Sequence, residues 1–409
     1  MKRLFFLLLT IVSVFNCCTS QEPTTLVYNK AGIPLNAELT IDSIVNDAIS
    51  KRAMPGCRVL AVVKNHVVFN KSYGYFTYDS IKPVNDSTLY DLASVTKIAA
   101  SSLVLMKLYE DKKIDLDKPL TYYFNGITDN GATLRDALAH QAGFKPWLDI
   151  RRANKDLSKS LIDDPIRYNP RKAKKQITKY IISQPLDSCG RYLYSDLGFY
   201  LYTLFPKKYY NKDFEVFLYE KFYRPLGTKM YFKPYYYYDK QNIAPTENDT
   251  VWRKRVVCGF VHDEGAFLMG GVSGHAGLFA TAGDMAVLMQ MLLNKGSYGG
   301  YQYLKPETVE LFTSQAFDNN RRGLVFDKQL LDLSLNGTPS KLASYSSYGH
   351  SGFTGTFAWA DPQNELIFIF LCNSTFPNRS TMLSKLDVRS KIHDIFYHVV
   401  DNGLIEYRD

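Results

Sequence analysis

Two strong hairpin signals stand at opposite ends of this 409-residue chain, and they constrain its fold more than anything between them. Near the N-terminus "CRVLAVV" and "VVFNKSYGY" flank "KNH". Near the C-terminus "GTFAWAD" and "ELIFIFLCN" flank "PQN". Apolar, β-branched and aromatic runs around a short polar break are the pattern of paired antiparallel strands. An isolated hairpin is barely stable in water, so the two pairs are expected to share one sheet. Helical periodicity brackets them, with Ile41, Ile44, Val45, Ala48 and Ile49 before the first and Leu383, Leu386, Ile392, Ile395 and Phe396 after the second. Between them, about 112–290, helical patterns alternate with aromatic loops. The expected class is α/β of the α+β kind: a central antiparallel sheet from both chain ends flanked by helices, with a helical, loop-rich region inserted. The sheet region would take about 37–111 and 291–409 of a single domain spanning 37–409.

The start, "MKRLFFLLLTIVSVFNCCTSQE", has a basic head and an apolar run from Leu4 to Phe15 that is short for a bilayer span. It reads as a signal peptide over 1–20, followed by a tether over 21–36. "VFNC" has an apolar residue three before Cys17, but Phe15 and Asn16 are bulkier than the small pair usual before a lipidated cysteine. Membrane attachment through Cys17 or Cys18 and a simple cut near Ser20 both stay open. Either leaves the mature chain exported, periplasmic or membrane-anchored. Cys57, Cys189, Cys258 and Cys372 are far apart, without zinc-site spacing, and read as small buried apolar residues. The net charge of +9 gathers in "IRRANKDLSK" and "NPRKAKKQITK". Neither carries a helix-turn-helix or aromatic platform, so no nucleic-acid partner is expected. A solvated face or attraction to an anionic envelope polymer explains them.

"DLASVTKIAASSLVLMKLYE" (91–110) places Ser94 and Lys97 three apart at the head of an apolar helix, hence on one face. The first turn offers free N–H groups and a positive dipole end to a developing anion. A serine hydroxyl needs a partner to take its proton, and a lysine or a lysine-assisted phenol supplies one. The plain alternative is a capping serine beside a surface lysine. Two further clusters weigh against that alternative: "RYLYSDLGFYLY", with Tyr194, Ser195 and Asp196, and "YGHSGFTGTFAWA", with His350, Ser351 and Gly352. Their order and spacing resemble the serine β-lactamase and penicillin-binding-protein superfamily. Within it, the likeness is to class C β-lactamases, D,D-peptidases of that type and related esterases. It runs over about 37–405 and includes "HQAGF" and "VHDEGAFLMGGVSGHAGLFATAGDMA". That last stretch is similar to β-lactamase-like domains found alone or fused to family 3 glycosidases in Bacteroidetes.

The resemblance implies an exported serine hydrolase without a cofactor. Its substrate would be a small molecule or peptide: peptidoglycan-derived D-amino-acid peptides, small esters or β-lactams. Ser94 would form the acyl-enzyme, with Lys97 beside it and Tyr194 passing protons. The N–H groups of Ser94 and Phe353 would form the oxyanion hole, where one donor is worth about 3–4 kcal/mol. Asp196, His350, Ser351 and Gly352 would meet the substrate. The competing reading is a penicillin-binding sensor or scaffold that acylates without turnover.

Two positions depart from the family pattern. Asp196 stands where Asn is usual, and a carboxylate near Lys97 would favour the ammonium, making a Tyr194 phenolate the expected base. His350 stands where Lys is usual. As a mostly neutral group it predicts weaker selection for a free carboxylate and more tolerance of esters or amides. His262, Asp263 and Glu264, being adjacent, cannot converge on one ion, so no metal is expected. His140 and His275, in Gly-containing loops, read as structural, and Tyr235–Tyr238 either line a cleft or cover the helical region. Nothing in the sequence sets an oligomeric state.

Overall fold

The computed structural model describes residues 24–150, 170–334 and 337–408. The leader, Cys17, Cys18 and most of "IRRANKDLSK" lie outside these residues. The main sheet uses β1 (Gly56–Val63), β2 (His66–Gly74), β3 (Asp327–Lys328), β4 (Tyr348–Ser351), β5 (Phe357–Asp361) and β6 (Leu366–Cys372). Its order is β3-β4-β5-β6-β1-β2, antiparallel throughout. The seam between the chain ends is β6 on β1, in register from Leu366↔Val63 to Cys372↔Cys57. The two hairpins read from the sequence therefore become neighbours. The short β3 carries no comparable apolar run and has no strand signal of its own.

The helices that matter here are α1 (Leu35–Ser50), α2 (Ser102–Glu110), α3 (Leu197–Tyr202), α4 (Glu264–Leu268), α5 (Ala282–Leu293) and α6 (Val388–Asp401). Every residue of β1 and β6 is buried, because helices cover both faces of the sheet. This is why these strands read as near-continuous apolar runs, broken in β1 only by Arg58, rather than alternating ones. Leu60, Val62, Ile367 and Ile369 face a core shared with Leu103, Met285 and Leu288. Val59, Ala61, Phe368 and Phe370 face the other way, onto Ile41, Val45, Ile392 and Phe396. Each of these side chains other than Ala61 contributes about 1.5–3 kcal/mol when fully buried. Thus α1 and α6 back one face, while α5 and the helical region carrying α2 cover the other.

Two expectations need correction. Residues 24–36 are no tether where described: Val27 bridges to His66, and Ala31–Gly32 pair with Glu406–Tyr407. Leu26, Ala31 and Ile33 are apolar and become buried, which a free linker would forgo. The cysteines also divide. Cys57 and Cys372 are buried, Cys258 is half-buried, and Cys189 is exposed on a turn beside Gly190. The basic run at 170–179 lies on helix Pro170–Ile182, whose Ala173, Ile177 and Ile181 face inward while Arg171, Lys172, Lys175 and Lys179 face water.

Candidate active site

Ser94 sits where the short strand Tyr90–Asp91, paired with Leu278–Ala280, turns into a helix. Ala93 has φ +45°, a left-handed conformation that costs a non-glycine residue roughly 1–2 kcal/mol. Asp91 holds that turn. Its Oδ1 accepts the Ala93 N–H at 2.9 Å, and Oδ2 accepts the His262 N–H at 2.6 Å. Burial raises the pKa of Asp91 more than these two donors lower it. The amides of Val95, Thr96 and Lys97 bond back to Leu92, Ala93 and Ser94, so the Ser94 N–H stays outside the turn's own bonds. The helix widens into a π-helical stretch, Lys97–Ser101, before α2. Local widenings of this kind gather at functional sites.

Two segments meet at the Ser94 oxygen, which belongs to a half-buried residue. Lys97 Nζ donates to it at 2.9 Å and the Tyr194 hydroxyl at 3.1 Å. Lys97 is 0% exposed. Its ammonium pairs with Asp196 Oδ1 at 2.6 Å and approaches the His275 carbonyl at 3.4 Å. Burial pulls the lysine pKa down, but Asp196 and then Tyr194 outweigh it and the net shift is upward. For Tyr194, burial raises the pKa and Lys97 lowers it, and burial wins. The resting pair is therefore ammonium and phenol. His140 backs the phenol, its ring centroid 4.6 Å from that of Tyr194 and its Nδ1 accepting the Ser195 N–H at 3.2 Å. Its Nε2 is buried without a partner among the described residues, so it is less fully satisfied there than a purely structural histidine.

β4 delivers the third motif. Gly352 is required there by space, since a Cβ would lie 2.1 Å from Thr356 Oγ1 and 2.6 Å from the Leu92 carbonyl. The following turn is tied to the loop that carries Ser94 by two threonines. Thr354 donates to Asp91 O at 2.8 Å and Thr356 to Leu92 O at 2.9 Å. Gly352 N–H bonds to Thr356 O and Gly355 N–H to Gly352 O, which leaves the Phe353 N–H outside that turn's bonds. The Phe353 ring is 62% exposed, between His262 and Arg379. Ser351, half-buried, closes the strand.

His350 is buried, with Nδ1 2.7 Å from the Ser351 carbonyl. Nδ1 is thus the donor, and Nε2 accepts from Arg322 Nη1 at 3.4 Å. Burial, then Arg322 and Lys97, drive its pKa well below the usual histidine value. So this ring is neutral, and the fixed charge of the neighbourhood belongs to Arg322. That guanidinium is buried, lies 5.3 Å from the Tyr194 ring centroid, and donates to the Tyr192 hydroxyl at 3.1 Å. Asp327 backs it at 3.5 Å and keeps it charged against the cost of burial.

His262, Asp263 and Glu264 turn to three different partners. His262 faces Glu247 at 2.7 Å, Asp263 faces His275 Nε2 at 2.8 Å, and Glu264 faces Arg379 at 2.6 Å. His275 is satisfied on its other side by Ser273 at 2.9 Å. Tyr235 and Tyr237 pack on Phe260 and Tyr231, on the helical region's own surface. Sequence reasoning missed Arg322 and Asp91. An acid inside the apolar run "LYDLA" is a signal of a buried, tethered carboxylate that was there to be read. Arg322, in "NNRRGLVF", offers none.

A serine whose oxygen faces a lysine and a tyrosine, on a helix-covered sheet built from both chain ends, defines a serine hydrolase of the penicillin-binding-protein and β-lactamase type. The comparisons agree: the chain belongs to the Beta-lactamase family, whose model matches residues 41–389. A protein of Escherichia coli O157:H7 with the provisional name D-alanyl-D-alanine carboxypeptidase is 32% identical over 375 residues, 84% of each chain. The fold is also that of a penicillin-binding protein homolog from Caulobacter crescentus, at TM-score 0.64 and 19% identity over 90% of this chain and 98% of that one. EstCE1, a hydrolase with promiscuous acyltransferase activity, matches at TM-score 0.65 and 18% identity, over 87% and 98% of the two chains.

Proposed function

We propose that this protein is a D-alanyl-D-alanine carboxypeptidase working through an acyl-enzyme on Ser94. The observation that carries the reading is the convergence of Lys97 Nζ and the Tyr194 hydroxyl on Ser94 Oγ. Ser94 Oγ attacks the carbonyl of the bond between the two D-alanines. Its proton passes to the Tyr194 oxygen while the phenolic proton moves to the leaving nitrogen. The C–N bond breaks and D-alanine departs. Water then attacks the ester, gives a proton to the Tyr194 oxygen, and the phenolic proton returns to Ser94 Oγ. Because burial keeps Tyr194 protonated at rest, the phenol relays protons and no standing phenolate is needed. Lys97, held charged by Asp196, stabilises the negative charge that builds on the phenol oxygen. The N–H groups of Ser94 and Phe353 would take the oxyanion.

Arg322 favours a peptide with a free C-terminus over a neutral ester. The sequence places a neutral ring, His350, where a carboxylate anchor is expected. A permanent, buried guanidinium stands directly behind it, and such groups bind carboxylates strongly. The apolar leader and the relatives' name support action outside the cytoplasm. Among the described residues no helix is long and apolar enough to cross a membrane.

The test is D-alanine release from an acyl-D-Ala-D-Ala peptide, with intact mass followed after incubation with a penicillin. The wild type should release D-alanine and carry a transient adduct, while Ser94→Ala should do neither. A permanent adduct with no D-alanine released would make the protein a non-turnover binder instead.

A further inference from the structure

Residues 192–195, which carry Tyr194, belong to no helix or strand, so no regular ladder of backbone bonds fixes the phenol. The residues on either side of Tyr194 bond instead to one residue of the "HQAGF" loop. The His140 carbonyl accepts the Leu193 N–H at 2.8 Å, and its Nδ1 accepts the Ser195 N–H at 3.2 Å. Between these two bonds the imidazole lies against the Tyr194 ring, with centroids 4.6 Å apart and planes at 32°. The grip is itself anchored. The Ala139 carbonyl accepts Asn320 Nδ2 at 2.7 Å, and the Leu138 carbonyl accepts the Val325 N–H at 2.9 Å. Two features of His140 are costly. Its φ of +59° is left-handed, and local strain of that kind gathers at functional sites. Because Nδ1 accepts, the neutral ring carries its proton on Nε2, which is buried and meets no acceptor among the described residues. Burial, then Arg322 and Lys97, keep the ring neutral, so Nδ1 keeps the lone pair the grip needs.

We propose that His140 is a positioning residue, whose carbonyl and Nδ1 together set the reach of the Tyr194 hydroxyl to Ser94 Oγ. The inference rests on the proton relay assigned to Tyr194 and adds what aims it. The part of the side chain that matters is the Nδ1 acceptor. Without it the Ser195 N–H is released, and the irregular segment keeps only the backbone bond at Leu193 on this side. A reacting group displaced by about 1 Å costs on the order of 100-fold in rate. The loss falls on the chemical steps, since His140 holds the relay and not the substrate.

The experiment measures kcat and KM for an acyl-D-Ala-D-Ala peptide and a p-nitrophenyl ester, using the full chain with His140→Leu and His140→Asn. Leucine and asparagine share one branched outline. Only asparagine offers an acceptor where Nδ1 stands, and it also suits the left-handed backbone. Activity is expressed per folded molecule, from urea titrations of each variant. His140→Leu should lower kcat on both substrates about 30-fold or more, with KM within about threefold. His140→Asn should win back at least about tenfold of that loss. Should His140→Leu not fold, His140→Gln, whose acceptor sits one carbon too far out, takes its place with the same expectation. A Leu or Gln variant as fast as the wild type, or an Asn variant no faster than it, overturns the positioning role and leaves the carboxypeptidase reading intact. If the wild type releases no D-alanine but cleaves the ester, the carboxypeptidase reading fails, and His140 is judged on the ester by the same criterion. Cleavage of neither substrate overturns both.

Discussion

Lys97 carries its charge where water cannot reach it, and Asp196 is the reason it can. Asp196→Asn removes the nearest opposite charge, so burial acts on the ammonium with only Tyr194 opposing it and its pKa falls. The alkaline limb of the kcat/KM profile should move to lower pH by about one unit or more, and an unmoved limb would remove Asp196 from the mechanism. The sign for stability follows from the same shift. Because the folded pKa is raised, the pair's stabilisation is fully present below the ordinary lysine value of about 10.4 and fades only as pH climbs through the folded value. The loss caused by Asp196→Asn should therefore be constant between pH 6 and 9 in urea titrations. It should amount to about 2–3 kcal/mol, below the 3–5 of fully buried pairs because Asp196 keeps a solvent-facing side. Arg322→Gln tests the carboxylate anchor. The ratio of kcat/KM for a D-Ala-D-Ala peptide to that for a p-nitrophenyl ester should fall about 100-fold, the worth of one charged hydrogen bond. An unchanged ratio would assign Arg322 to structure alone.

At the scale of elements, the turn after β4 is clamped to the loop that carries Ser94 with no room to spare. Gly352→Ala drives a methyl into Thr356 and the Leu92 carbonyl, and backbone cannot yield there. We expect a loss of about 3 kcal/mol in denaturant unfolding, with activity reduced beyond what the unfolded fraction explains. These contacts also show why some of the site was readable in the sequence and some was not. Ser94 and Lys97 lie one helical turn apart, and β1, β5 and β6 declare themselves because both faces are buried. Tyr194 and His350 sit inside recognisable local patterns. Arg322 escapes because its meaning depends on His350, 28 residues on, and on a strand of only two residues, β3, that places Asp327 behind it. Thr354 and Thr356 escape for the same reason, since what they bind lies more than 260 residues earlier. The tether was misjudged because three isolated apolar residues, Leu26, Ala31 and Ile33, form no periodic pattern until a surface receives them.

For the molecule as a whole, three buried histidines set the acid limit. His140 and His350 are held well below the usual histidine value, and His393 is pushed down to about 3, in each case chiefly by burial. The unfolded chain binds protons at these positions below about pH 6.5, while the folded chain does not. Their contribution is present above that pH and is lost as pH falls toward the folded values. Each costs about 1.4 kcal/mol per pH unit once below 6.5. Urea midpoints should fall steeply between pH 6.5 and 4.5, and a flat profile would show that these rings take up protons without unfolding. The seam of β1 against β6 carries a last consequence. During translation the Ser94 hydroxyl emerges early, the Tyr194 phenol near the midpoint, and the turn bearing the Phe353 N–H later still. A nascent chain stopped before Leu366 owns a nucleophile but no frame to aim it. On the proposed mechanism a chain truncated before Leu366 should therefore release no D-alanine, because β6 is missing from its seam with β1.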